Sequence, residues 1–298
     1  MLHPDMNIMR VANNNHRRPT RCRRHHSMTE SIRTLLRSSR KVIFGLLRTL
    51  VALMLGLLFV ASASAGAQSV MLPLPPEDQR MIAAQLGPVV GRALPSTPIE
   101  DVSVYFPLRE KVSLYQVTAG RDIGKTRTLA LTKVRRPNGE SAWRFQFSPS
   151  LAGFLRRTPE GDLIMPAVDD TGDGVVVVTT PANPFVLKGM KPGETRYYVQ
   201  QVVVYARGAP ADQEYSGSLN GSYTYLGAHQ VIVPAGTYQS ILFRLECEGK
   251  VGPATTHDIA YYFFAPGKGV IAMINQEEAT AFWIIHIETT SGDVLRAN

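Results

Sequence analysis

The sequence predicts a mainly β protein: one strongly curved antiparallel sheet or open barrel, with one or two short helices. Three observations carry this. From Val102 onward, apolar residues recur at every second position in segment after segment, the pattern of strands with one buried and one wetter face. Turn-forming clusters separate those segments, among them Pro137-Asn138-Gly139, Pro159-Glu160-Gly161, Lys191-Pro192-Gly193 and Pro234-Ala235-Gly236. No long helical period alternates with the strands, which argues against a parallel α/β fold.

The chain divides into three parts. Residues 1–67 form a basic leader and signal peptide. They hold 11 Lys and Arg against 2 Asp and Glu, which leaves 21 against 22 for residues 68–298. The overall charge of +8 therefore belongs to the leader, and the near-neutral body gives no reason to expect a nucleic-acid partner. Within the leader, the uninterrupted apolar run Thr49–Ala61 is short for a membrane span of ~20 residues and suits a signal-peptide core. The A-x-A triplets Ala63-Ser64-Ala65 and Ala65-Gly66-Ala67 follow it, so cleavage is expected between Ala67 and Gln68. Met28 would supply a more ordinary start to such a signal. The body is then exported to the periplasm or the extracellular space. If cleavage failed, residues 42–61 would anchor it with the body outside.

Residues 68–101 are a Pro-rich linker and a short helix. Pro76 opens the helix over Glu77–Leu86, Glu77 and Asp78 suit its N-terminal end, and Gly87 stops it. Residues 102–298 are the β domain. Strands are expected at Ser113–Thr118, Thr126–Val134, Trp143–Phe147, Gly174–Thr180, Thr195–Arg207, Gly217–Tyr225, His229–Val233, Ile241–Cys247, Thr255–Phe264, Val270–Gln276 and Trp283–Glu288. Cys247 is the lone cysteine of the body, so no intramolecular disulfide is available to it. On the apolar side of its strand it reads as inert.

Two C-terminal motifs carry a resemblance. Val233-Pro234-Ala235-Gly236-Thr237-Tyr238 and Tyr261-Tyr262-Phe263-Phe264-Ala265-Pro266-Gly267-Lys268-Gly269-Val270 are similar to hairpins of a large group of exported bacterial β proteins of unknown function. Tyr105-Phe106-Pro107-Leu108 and Lys191-Pro192-Gly193-Glu194-Thr195 match weaker elements of that group. The resemblance implies a half-barrel similar to the lipoprotein-carrier fold, sometimes with a helix at its concave face. The group has no established catalytic residues, so none is carried over.

Nothing in the sequence signals a cofactor or a catalytic residue. Asp169 and Asp173 sit in the first half of a calcium-loop pattern, but Thr180 stands where the distal acid would be. An acidic hairpin turn is the plainer reading, and no metal is expected. His257-Asp258 could be half of a hydrolase triad, but the chain has no G-x-S-x-G. The leading expectation is a non-enzymatic exported protein that binds a lipid or other apolar ligand, or an envelope partner. Its cavity would be dry, lined by Trp143, Phe145, Phe243, Leu245, Trp283 and Ile285, and covered by the Glu77–Leu86 helix. The alternatives are a structural or assembly protein with a filled core and, behind it, a periplasmic hydrolase.

Overall fold

The computed structural model describes residues 69–135, 141–209, 212–281 and 285–297. The leader, the Ala67/Gln68 cleavage site, the Pro137-Asn138-Gly139 turn and Trp283 lie outside the described residues. In chain order the elements are β1 (Val70–Met71), α1 (Pro76–Leu86), β2 (Val90–Ser96), α2 (Val102–Tyr105), β3 (Lys111–Ala119), β4 (Thr126–Arg135) and β5 (Ser141–Gln146). There follow β6 (Leu151–Arg157), β7 (Leu163–Asp170), β8 (Val175–Val186), β9 (Thr195–Ala206), β10 (Gln213–Val233), β11 (Gly236–Val251), β12 (Ala254–Ala265), β13 (Gly269–Ala281) and β14 (Ile285–Leu295).

From β3 to β14 each strand pairs antiparallel with the next, and β14 pairs with β3. Gly292 lies opposite Ala119 and Leu295 opposite Tyr115. The result is a closed up-and-down barrel of twelve strands, not the open half-barrel that the sequence suggested. Alternation within each strand and the turns between them were readable. The one pairing that converts a meander into a ring joins residues far apart in the chain and leaves no local pattern. Side chains fasten this seam. Arg127 Nη1 donates to the buried Asp293 Oδ2 at 2.7 Å, and the buried Tyr115 hydroxyl donates to the Val270 carbonyl at 2.5 Å.

The strand β10 serves two partners. Its first half, up to Thr224, pairs with β9, while Ala228, His229 and Val231 pair with β2. Between them the ladder shifts at Gly227, whose φ of 96° is a left-handed value that glycine adopts freely. The short β1–β2 flap thus extends the sheet beyond the ring.

Eight strands make a barrel that its own side chains can fill, and twelve make a wider one. The lower half of this lumen is filled with help. Residues 97–110 fold under the barrel, and Phe106, directly after α2, enters it. The Phe106 ring meets Phe185, Phe145 and Phe264 edge-on at centroid distances of 5.1, 5.6 and 6.2 Å. Phe243 stacks on Tyr223 and Tyr225 at 4.9 and 5.0 Å. Aromatic pairs of this geometry gain ~0.5–1.5 kcal/mol beyond simple burial.

The helix α1 lies on the outer wall. Arg244 and Tyr261 face each other across β11 and β12, and each points opposite to its inward neighbours Phe243 and Tyr262. Both donate to Asp78 Oδ1 of α1, at 2.9 and 2.6 Å. A helix bonded to that face cannot also cover the inner one, so the segment inside the barrel is the Phe106 loop.

Candidate ligand-binding lumen

Above the aromatic floor the barrel opens into a cavity of about 890 Å³, within the usual range for small-molecule sites. Its lower surface is Phe147, Met165, Tyr262 and Met273, and its wall and mouth include Asn275, Glu277 and Asp170. Register explains why these side chains converge. Met273 lies opposite Tyr262, so Met273, Asn275 and Glu277 share the inner face of β13. Gly153 faces the same space from β6. A Cβ there would come within 2.1 Å of Met165 Sδ, so the glycine lets the methionine lie flat against the wall.

An inward row of side chains crosses five strands above the floor. Tyr198, Gly221, Cys247, Asp258 and Glu277 are each directly opposite the next. The Tyr198 ring lies over Gly221, where a Cβ would meet it at 2.3 Å, and its hydroxyl reaches Cys247 Sγ at 3.5 Å. Burial pushes the Cys247 thiol up from its ordinary range, which keeps it protonated and unreactive. Burial also pushes Asp258 up to about 6, with the neighbouring Glu277 adding repulsion, against a hydrogen bond from Thr256 at 2.9 Å. Glu277 reaches the open mouth. The surrounding protein raises its carboxyl, and Asp173 and Asp170, opposite it on the β7–β8 turn, raise it further.

The cations near the cavity are mostly committed. Arg127 lines it but is paired to Asp293, whose Oδ1 is enclosed with no partner. Burial raises Asp293 to about 6 despite that arginine. Arg121 and Asp122 stand at the rim, and Asp122 is bonded to Lys125 at 2.8 Å.

Among the described residues no helix is long and apolar enough to cross a membrane. On the outer wall the polar positions Ser218, Asn220, Ser222, Glu246, Glu248, His257 and Glu278 run across β10 to β13.

No family model and no curated protein matches the chain. Among solved structures it is similar to a candidate exported protein with a YmcC-like fold from Bacteroides fragilis, at 15% identity over 64% of this chain and 97% of that one, with a TM-score of 0.34. It is similar to the hypothetical lipoprotein YmcC from Escherichia coli, at 10% identity over 63% and 83%, with a TM-score of 0.33. A third likeness is to a candidate lipoprotein from Parabacteroides distasonis, at 13% identity over 64% and 97%, with a TM-score of 0.25.

Of the six expected cavity residues, the four whose side chains are described do not line this space. Phe145 and Phe243 are buried in the lower aromatic core, and Trp143 and Leu245 are half-buried against it. Ile285 begins β14, and its side chain lies outside the described set. Asp169 accepts from Arg207 at 2.8 Å, while Asp170 Oδ1 accepts from the amides of Gly172 and Asp173, the bonding of a turn. Among the described residues no three His, Cys, Asp or Glu side chains are placed to hold a metal ion. His257 and Asp258 point to opposite faces of β12, and His257 meets Glu246 on the outside at 3.3 Å. The lining residues that strand alternation missed, Met165 and Val168, lie on β7, a strand interrupted by Pro166.

Proposed function

We propose that this is an exported, non-enzymatic binding protein whose upper barrel lumen holds a small amphiphilic ligand. One observation carries the reading: the lumen is divided, with a packed aromatic half below and an open cavity of about 890 Å³ above. A barrel with a filled core would need no such space. Methionine and aromatic side chains on the floor suit an apolar body, which gains ~0.8 kcal/mol per methylene removed from water. The polar wall suits a head group. The leader supports export, as the A-x-A triplets before Gln68 do.

The test is titration of the purified protein with N-phenyl-1-naphthylamine, a neutral dye that brightens in apolar surroundings. Saturable enhancement at micromolar concentration is expected. Val168→Trp, which fills the lumen from β7, should weaken it at least ~10-fold, a loss of about 1.4 kcal/mol. No saturable enhancement, or a response that Val168→Trp leaves intact, would refute lumenal binding.

A second reading, an envelope protein partner, is favoured by one surface feature. Tyr197 and Val199 on the outer face of β9 are 82% and 58% exposed, an unusual setting for large apolar side chains side by side on one strand face.

A further inference from the structure

Building on that reading, we propose that the lumenal ligand is a cationic amphiphile, with an amine or similar hydrogen-bond-donating cation as its head group. The first ground is the charge of the wall. Asp122, Asp170, Glu277 and Glu288 line the cavity against Arg121 and Arg127, and Asp258 lies beside Glu277 in the inward row. The deep cation, Arg127, is neutralised by Asp293, and Arg121 sits at the rim. The second ground is independent of these acids. Asp293 is fully buried on the inner face, opposite Met273 of the cavity floor, and its Oδ1 has no hydrogen-bond donor. A buried acceptor without a partner costs free energy until a donor arrives. The cavity wall is therefore acidic, and Asp293 sets an enclosed, unpartnered acceptor behind its floor, beside Met273.

An anionic head group, such as a fatty acid's, would add to this repulsion. A neutral one would leave the carboxylates unpaired. A cation in a partly water-excluded space forms charge-assisted bonds with them, which are about twice as strong as neutral ones. The rings of Phe147 and Tyr262 below are also surfaces to which an onium group is attracted.

Three dansyl probes of similar size separate the possibilities: dansylcadaverine, which is cationic, N-butyl dansylamide, which is neutral, and dansyl-6-aminohexanoate, which is anionic. Each is titrated into the full-chain protein at pH 8. Dansylcadaverine is expected to bind about 10-fold more tightly than the neutral probe, with the anion weakest. Glu277→Gln should narrow the cation-to-neutral ratio, and Glu277→Lys should reverse it. Both substitutions lie at the open mouth, where folding is not at stake. Equal or tighter binding of the neutral or anionic probe would overturn the cationic head group while leaving lumenal binding standing. A preference unchanged by Glu277→Lys would do the same. Failure of all three probes to bind would overturn lumenal binding itself.

Discussion

Asp258 is raised to about 6 by burial beside Glu277, and this has a consequence for stability. An unfolded aspartate titrates near ~3.9, so the folded protein holds this proton to higher pH than the unfolded chain does. Wild-type stability therefore loses a contribution as pH rises from about 4 through about 6. Asp258→Asn removes the penalty. It should be as stable as wild type near pH 4 and more stable by about 2 kcal/mol at pH 8. Urea unfolding at both pH values checks this, and an equal difference at each would contradict it. The sequence placed Asp258 beside His257 as candidate chemistry. Both fall within the expected strand Thr255–Phe264, where neighbours point to opposite faces, so the pair cannot act together.

At the scale of elements, α1 was legible and its attachment was not. Pro76, the acidic first turn and Gly87 mark the helix within one residue of its bounds, Pro76–Leu86. The same signals read Asp78 as a partner of the helix dipole. In the fold it is fully buried against Arg244 and Tyr261, a contact spanning 166 residues to Arg244. Asp78→Ala should cost about 3 kcal/mol, because it leaves the arginine enclosed without its counter-charge. Adding Arg244→Met should restore most of that loss. Chemical denaturation of the single and double variants tests the pair, and additive losses would show that the two residues are not coupled. Strands β6 and β7 escaped the sequence for a related reason. Gly153 and Pro166 are residues that weaken a strand pattern. Here Gly153 yields space to Met165, and Pro166 occupies the irregularity between Met165 and Ala167 where the ladder shifts. Gly227 likewise made β10 read as two strands, although it marks a bulge inside one.

For the whole molecule, the width of the ring decides what the interior can be. The alternating strands told which residues share one face of the sheet. Alternation has no information about height along the barrel, so it could not separate Phe145 and Phe243 in the packed half from Met273 and Asn275 in the open half. Nor could it foresee the plug at Phe106, which arrives from outside the strands. Methyl NMR of the methionines tests that division of the lumen most directly. With [13C-methyl]methionine protein, titration with N-phenyl-1-naphthylamine should shift Met165 and Met273, which line the cavity. Met190, fully buried away from that lining, and the exposed Met71 on the outer flap should stay in place. A titration that moves Met71 or Met190 while leaving Met165 and Met273 unchanged would contradict binding in the upper lumen.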